Sequence, residues 1–276
     1  MAKSESSSRI VTSVVAVVSA AALAVSLIAA GFAACAVPDV STKALASVYS
    51  TDGASPFTKD ELVAAAVQTK HYTIDDNDKA AVYATIAAIN AQEALAGTAG
   101  KGAPKIDATA NYAAGELSGE QVAALETAFD AASERYVLTP DAVSHLDDVF
   151  GVVQAAKWWL LAAVVAACVG CTATAFRGGK RLLGRVLAGA GVSVLAVFAL
   201  LAAWVAIDFD GFFAQFHSLF FAAGTWTFSW DSLLICMYPP EFWVGMGAIW
   251  LVVTVACCVV CITIGRLLRK GSTQKR

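Results

Sequence analysis

The stretch GFFAQFHSLFFAAGTWTFSW, residues 211–230, decides how many times this chain crosses a membrane. It lies between Asp210 and Asp231 and contains no Asp, Glu, Lys or Arg. About 20 mostly apolar residues are enough to span a bilayer. However, the stretch also holds His217, a glutamine and two tryptophans, which a helix surrounded by lipid does not favour. The stretch is therefore either a membrane span or a structure built at the membrane surface.

The composition is that of a membrane protein. Of the 276 residues, 58% are hydrophobic and 15% are charged, whereas roughly 25% are charged in a soluble domain. Four other stretches are long and apolar enough to span: residues 10–38, 152–176, 186–207 and 242–265. They contain no Asp, Glu or His, and the single Lys157 can extend its amine to the interface. The first run exceeds the apolar core of about 7–15 residues of a secretory signal, so we predict a retained span.

The basic residues predict the orientation of these spans. They fall into three groups, at residues 3–9, 177–185 and 266–276. All three groups lie on one side of four spans, which the positive-inside rule identifies as the cytoplasm. Residues 39–151 and 208–241 then lie outside. A fifth span at residues 211–230 would turn the basic C-terminal tail outward, so we interpret this stretch as an interfacial amphipathic segment.

The predicted fold class is therefore an all-α integral membrane protein. It has four transmembrane helices, a helical extracytoplasmic domain and an interfacial segment. Pumps and channels usually need ionisable groups inside the bilayer, and these spans offer no Asp, Glu or His and only Lys157, near the end of its span. A nucleic-acid partner is not expected either, because the basic residues follow the membrane topology.

The outer segment 39–151 is rich in alanine and predicts several helices. Thr58 and Glu61 have the spacing of a capping box, a second helix ends at Gly97, and a third carries Phe129 on its apolar face. Because these helices consist mainly of small residues, we expect them to cover another surface rather than to form a large core.

The last helix of this segment begins in LTPDAVSHLDDVFGVV, residues 138–153. Thr139 is a suitable N-cap and Pro140 suits the first helical position. His145 and Asp148 are three residues apart and share a helix face, so the carboxylate could orient the imidazole. The alternative is an exposed histidine on a solvated helix end. A straight helix would hold His145 roughly 10 Å above the apolar edge of the span, unless Gly151 bends it.

In the second outer segment, aromatic residues recur at intervals of three and four, as Phe213, Phe216 and Phe220 do. This spacing predicts an amphipathic helix, and Trp226 suits the interfacial aromatic belt. His217 lies at the edge of the stripe. It is either a partly buried structural histidine or a titratable group held where lipid meets water.

The cysteines allow two interpretations. Cys168 and Cys171, and likewise Cys258 and Cys261, have the C-x-x-C spacing of a thiolate metal site. Burying thiolates in lipid is costly, so packing of small apolar side chains between helices is favoured. The sequence contains no HExxH, Walker or glycine-rich dinucleotide motif. We therefore assign no metal and no cofactor.

Two motifs resemble one bacterial family. HLDDV at residues 145–149 precedes a span, and FHSLFF, WTF and DSLL, at residues 216–221, 226–228 and 231–234, precede the last span. This pattern is similar to that of the lipoprotein intramolecular transacylases, which are four-span membrane proteins. The family moves one acyl chain of a lipid-modified N-terminal cysteine from the glycerol sn-2 oxygen to the cysteine α-amine.

The resemblance implies a set of site residues. His145 and His217 would be the catalytic pair, close together at the outer surface, with Asp148 or Asp231 orienting an imidazole. The lipid-contacting residues would be Phe213, Phe216, Phe220, Phe221 and Trp226. The implied partners are diacylglyceryl-modified lipoproteins and membrane lipid. The third histidine, His71, lies in TKHYTIDD, which we interpret as an exposed polar turn.

Two other functions remain open at this point. One is a non-enzymatic membrane anchor that displays an acidic helical domain to a partner. The other is a metal-dependent membrane hydrolase that uses both histidines with Asp148 or Asp231. In the transacylase interpretation the protein lies in the plasma membrane, with both termini cytoplasmic and the site on the extracytoplasmic face.

Overall fold

The computed structural model describes residues 2–112 and 117–271, and within them the chain forms helices and no strand. The helices are α1 (Ala2–Ala36), α2 (Asp39–Tyr49), α3 (Lys59–Ile74), α4 (Lys79–Ala96), α5 (Gly119–Asp130), α6 (Pro140–Ile207), α7 (Phe209–Ser218), α8 (Leu233–Met237) and α9 (Pro240–Gly271). Residues 113–116 of the predicted outer segment, and residues 272–276 of the predicted basic tail, lie outside the described residues.

Three helical stretches are long and apolar enough to cross a membrane: Ser6–Ala36, Pro140–Ile207 and Pro240–Lys270. The middle one is the whole of α6, with 68 residues. A straight helix of that length would extend about 100 Å, more than three times the hydrocarbon thickness of about 30 Å. Gly179 interrupts it, with φ 71° and ψ −179°, a conformation that residues with a Cβ rarely adopt. Helix α6 is thus two helical runs joined at Gly179.

The stretch 211–230 does not form a membrane-spanning helix. Helix α7 ends at Ser218, and turns and bends follow it up to Ser232. A ten-residue helix is about 15 Å long, which is half the thickness of the hydrocarbon core. This confirms that the aromatic stretch is not a fifth span.

The chain divides into two compact units. The first comprises Met1–Cys35, Ala155–Ala214 and Ala248–Arg276, as far as these residues are described, and the second comprises Ala36–Gln154 and Gln215–Gly247. Each unit has its own hydrophobic core, and both candidate catalytic histidines belong to the second unit.

The first unit packs its helices through small, polar and aromatic contacts. Ser19 Oγ lies 3.3 Å from Thr174 Oγ1, and both residues are fully buried. The indole nitrogen of Trp250 donates to the carbonyl of Ile28 at 3.0 Å, and its ring packs edge-on against Phe198. Small residues and interhelical hydrogen bonds are the usual means by which helices associate in lipid.

The cysteines of the first unit follow the predicted packing only in part. Cys258 is fully buried in the apolar cluster of this unit, with Cys257 and Cys261 packed against it. Cys168, in contrast, is exposed. Packing in the apolar cluster therefore explains the second C-x-x-C pair, but it does not explain Cys168 of the first pair.

The second unit has a substantial core of its own, so the expectation that its helices only cover another surface is wrong. Phe57, Leu62, Phe129, Leu233 and Phe242 are at most 2% exposed and belong to one continuous cluster. These large side chains come from different elements of the unit. The sequence of any one helix therefore does not predict the core. The alanines between them are also buried and let the helices approach closely.

The local signals of the second unit are confirmed in detail. The Thr58 backbone N–H donates to Glu61 Oε2 at 2.8 Å, and the Glu61 N–H donates to Thr58 Oγ1 at 3.4 Å, which completes the capping box. Gly97 ends α4 with φ 74°. Gly151 keeps helical dihedrals, and within α6 only Gly179 departs from them.

Candidate active site

His145 lies on the second turn of α6. The Ala142 N–H donates to Thr139 Oγ1 at 3.3 Å and the Val143 N–H donates to the Thr139 carbonyl at 2.9 Å, so Thr139 caps the helix as predicted. Ala142, Val143 and Leu146 face the core of the second unit. This face turns His145 inward, and the residue is only 8% exposed. The alternative of an exposed histidine on a solvated helix end is therefore wrong.

Contacts with α3 and the loop after it hold the start of α6. The Tyr72 hydroxyl donates to Asp147 Oδ1, and Asn77 Nδ2 donates to the same oxygen at 3.1 Å. Gln154 Nε2 donates to the carbonyl of Ile74 at 3.5 Å. Asp147 was not identified from the sequence, because its partners lie 70 and 75 residues away and nothing in its own motif distinguishes it from Asp148.

His217 occupies the next-to-last position of α7. Its carbonyl accepts hydrogen bonds from the N–H groups of Phe220 at 3.0 Å and Phe221 at 2.9 Å, which folds the chain into a turn directly after the helix. The ring of Trp226 lies 4.9 Å from the imidazole, centroid to centroid. The sharp turn thus brings Phe221 and Trp226 against His217.

The two imidazoles lie side by side. Their centroids are 6.2 Å apart and their planes differ by 28°. Phe221 contacts both rings, at 4.8 Å from His145 and 5.7 Å from His217, and Phe228 lies 5.8 Å from His145. The prediction that the two histidines are close together is confirmed. Residues 72 positions apart in sequence form one pair of imidazoles with aromatic walls.

The surroundings of His145 favour a neutral ring. Burial, followed by the neighbouring His217, lowers the pKa of His145 from 6.5 to about 4, while the charge of Asp148 opposes this shift. His145 lies outside the apolar part of α6 that we assign to the membrane. Its Nδ1 atom is buried and makes no hydrogen bond within the described part of the chain. A buried polar atom without a partner is costly, and a bound substrate could supply the missing hydrogen bond.

The two candidate carboxylates have different surroundings. Asp148 is exposed and influences the pKa of His145 through its charge. Asp231 forms an ion pair with Arg135, with Oδ2 3.4 Å from Nε. The next segment is held to the same region by the Leu233 N–H, which donates to the Glu134 carbonyl at 2.8 Å. The ion pair of Asp231 and the hydrogen bond of Leu233 thus anchor residues 231–234 to residues 134–135.

The predicted lipid-contacting residues belong to both units. Phe216 is 43% and Phe220 is 48% exposed, and Phe221 and Trp226 are half-buried against the histidines. Phe213 belongs to the first unit, where it packs against Phe209 at 5.7 Å. The exposed rings of Phe216 and Phe220 pack edge-on against one another, with centroids 5.3 Å apart, so the imidazole pair has an apolar surface beside it.

The third histidine is not where the sequence placed it. His71 lies within helix α3 rather than in a turn, and its Nε2 is 2.8 Å from Asp39 Oδ1. The neighbouring Lys70 is largely buried and binds Asp39 and Asp75, each at 3.2 Å. The interpretation of an exposed polar turn is therefore wrong, since His71 belongs to an ion-pair cluster.

No group of three or more His, Cys, Asp or Glu residues is arranged to hold a metal ion in the described ranges 2–112 and 117–271. All seven cysteines, which lie within the described residues, are free thiols.

A family model for "Lipoprotein intramolecular transacylase Lit" matches residues 108–243. This confirms the resemblance found in the sequence, and the matched range includes both histidines and every motif quoted for them. No curated protein sequence matches the chain.

Solved structures extend the similarity to the whole fold. The chain resembles the membrane integral lipoprotein intramolecular transacylase Lit from Bacillus cereus, with a TM-score of 0.63, 15% identity and coverage of 96% of this chain and 98% of that chain. A form of that protein with a histidine-to-alanine mutation gives a TM-score of 0.64 at 15% identity and 96% coverage of both chains. Together with the long apolar helices, this similarity makes the chain a multi-pass membrane protein.

Proposed function

We propose that this protein is a lipoprotein intramolecular transacylase that moves an acyl chain from the glycerol sn-2 oxygen to the α-amine of the N-terminal cysteine. One observation carries the proposal: the histidines of the two family motifs form a single imidazole pair, with centroids 6.2 Å apart, between aromatic side chains. The family match and the membrane-type helices support the same substrate class.

The chemistry needs two proton transfers at one place. The attacking amine must lose a proton, and the glycerol oxygen that leaves must gain one. Two imidazoles that reach the same ester can divide these tasks, and general acid–base catalysis contributes on the order of a hundredfold to ten-thousandfold. The nucleophile and the ester both belong to the substrate, so the enzyme needs no nucleophile of its own.

We give His145 the first role in this scheme, and its environment supports that choice. With a pKa of about 4, its ring is neutral at pH 7. A neutral imidazole can accept the amine proton through one nitrogen. The positive charge that then forms on the buried ring is disfavoured by His217 and favoured by Asp148. This arrangement favours prompt transfer of the proton to the leaving oxygen, and we place His217 and Asp148 along that route.

The proposed topology has four spans. The break in α6 at Gly179 lies within the basic group 177–185, so the two runs of α6 cross the bilayer in opposite directions and meet at the cytoplasmic side. Both termini are then cytoplasmic, and the histidine pair is extracytoplasmic. The exposed rings of Phe216 and Phe220 contact the acyl chains of the substrate.

One experiment tests this function. The chain is expressed in a host that lacks lipoprotein N-acylation, and mass spectrometry locates the acyl chain on a reporter lipoprotein. We expect a lyso-form with an N-acylated cysteine from the wild type, and at least a hundredfold less from His145→Ala or His217→Ala. His71→Ala is the matched control and retains activity, because the partner of His71 is Asp39.

Other outcomes would reject the proposal. Unchanged N-acylation in both motif variants, at equal membrane levels, would show that the histidines are not the catalytic pair, whereas no N-acylation from the wild type at normal membrane levels would favour the anchor function. Loss of activity on chelation alone would favour the metal-dependent hydrolase. For the topology, a membrane-impermeant thiol reagent should label single cysteines introduced in intact cells at Asp141 and Ser218, which are exposed and lie close to the two histidines in the sequence. Labelling that requires opened cells would reverse the orientation.

A further inference from the structure

Helix α2 buries its polar side chains and exposes its valines. Val40 and Val48 are 70% and 65% exposed, whereas Ser41 and Thr42 are 6% and 1% exposed. Ala44 is exposed as well. Residues 40, 44 and 48 follow one another at intervals of four, so they form one stripe along the helix. A helix at a water-covered surface turns such a stripe toward the core, which is the opposite of what α2 does.

Contacts on the other side of α2 fix this orientation. Ala46 is fully buried in the core of the second unit, and Leu45 packs against that core. The Ser41 hydroxyl donates to the Pro38 carbonyl at 2.7 Å. At the end of the helix, the buried Ser50 hydroxyl donates to the Met237 carbonyl at 3.0 Å. The helix is therefore tied to the second unit by one face, and the valine stripe points away from that face.

Helix α2 lies next to membrane-type helices. It begins at residue 39, three residues after α1 ends, and the candidate span of α1 extends to its last residue. A Cβ atom on Gly245 would lie 2.6 Å from Leu45 Cδ2 and 3.4 Å from Tyr49 Cε2. Gly245 belongs to the candidate span Pro240–Lys270. Helix α2 thus packs against the first turns of a helix that crosses the membrane.

The charges of α2 are confined to its first turns. Lys43 Nζ is 3.8 Å from Asp39 Oδ2, and Lys70 Nζ of α3 is 3.2 Å from Asp39 Oδ1. Residues 44–49 carry no Asp, Glu, Lys or Arg, and the partly exposed Tyr49 suits the aromatic belt at a membrane surface. Single exposed valines are common in water. A stripe of apolar residues beside a span, with serine and threonine turned inward, is typical of a helix that faces lipid.

We propose that α2 is an interfacial helix whose stripe of Val40, Ala44 and Val48 binds the acyl chains of membrane phospholipid. Interfacial helices bury their apolar face about 5–10 Å into the boundary between headgroups and acyl chains. With 11 residues, α2 is about 16 Å long, so it is too short to cross a hydrocarbon core of about 30 Å. The first helix of the predicted outer segment therefore lies in the membrane surface rather than in water. This inference does not rest on the proposed acyl transfer.

The test uses the full-length protein in nanodiscs of phosphatidylglycerol and phosphatidylcholine. Photoreactive p-benzoylphenylalanine replaces Val48 in one variant and Val40 in a second. The matched control replaces Leu95, which is also apolar and 68% exposed but lies in the exposed run 94–100 at the end of α4. After irradiation, mass spectrometry of the intact protein measures phospholipid adducts. We expect roughly tenfold more adduct from each α2 position than from position 95, because only α2 reaches acyl chains.

Two results would overturn the proposal. Equally few lipid adducts at all three positions would place α2 in water. Crosslinked protein dimers instead of lipid adducts at positions 40 and 48 would mean that a second copy of the chain covers the stripe.

A second measurement is independent of the photoreactive residue. A charge placed among acyl chains is costly, so Val48→Asp should lower the unfolding temperature in nanodiscs by several degrees, whereas Leu95→Asp should leave it unchanged. An equal response of these two variants would also reject the lipid contact.

Discussion

The two units of this protein differ in how they place their large apolar side chains. In the second unit, large apolar residues such as Phe57 and Phe129 are at most 2% exposed. In the first unit, Trp159 and Phe176 are 78% and 87% exposed, while the polar Ser19 is fully buried. The physical reason is the solvent, because apolar surface gains nothing by leaving lipid but gains about 25 cal/mol per Å² by leaving water. The histidine pair lies in the second unit, whose core is of the kind that forms in water-soluble domains.

Removing a large side chain tests this contrast most strongly. We expect Phe129→Ala to destabilise the protein by about 3–5 kcal/mol, because it leaves a cavity in the core of the second unit. Phe176→Ala removes the same atoms from a lipid-exposed position and should cost less than about 1 kcal/mol. Thermal unfolding in lipid nanodiscs measures both. Equal losses would show that Phe176 is buried against protein.

Acidification tests the buried histidine of the second unit. The folded-state pKa of His145, about 4, lies below the unfolded value of 6.5, so the unfolded chain binds the proton more readily. Stability should therefore fall as the pH drops below 6.5, by about 2 kcal/mol between pH 7 and pH 5. His145→Gln should lose this part of the pH dependence. Parallel unfolding curves for the two proteins across this range would mean that His145 is not buried in the folded state.

Enlarging a glycine tests the packing of the first unit. Gly265→Leu places side-chain atoms where the α6 backbone lies and should cost about 1–3 kcal/mol. Gly189→Leu is the control, since a Cβ there meets no atom within 4 Å. Unfolding temperatures in nanodiscs should fall for the first variant only. A similar fall in both variants would indicate a general effect of leucine rather than a close helix crossing.

The smallest effect concerns the ion pair of His71. The hydrogen bond from His71, followed by Lys70, lowers the pKa of the Asp39 carboxyl, but the group is accessible to solvent. Exposed ion pairs contribute about 0–1 kcal/mol. His71→Ala should therefore reduce stability only slightly and leave acyl transfer unchanged. A large loss of activity with intact folding would place His71 in the active site.

Part of the site could be predicted from the sequence because its signals are local. The Thr139 cap, the two histidine motifs and the aromatic stripe around Phe216 depend on neighbours a few residues away. Contacts between residues that are far apart in the sequence leave no such local pattern. The Asp147 pair with Tyr72, the ion pair of Asp231 with Arg135, and the core of the second unit all join segments tens of residues apart.

The sequence by itself determined which segments lie in lipid and which lie in water, where several helices end, and which family the motifs resemble. Hydrophobic runs, caps and motifs act over one or two helical turns, so they can be read locally. Only the tertiary structure decided that His145 and His217 share one aromatic pocket and that the backbones of α6 and α9 meet at Gly265. Both arrangements depend on how distant helices pack, and packing is fixed by the complementary shapes of side chains that are far apart in the chain.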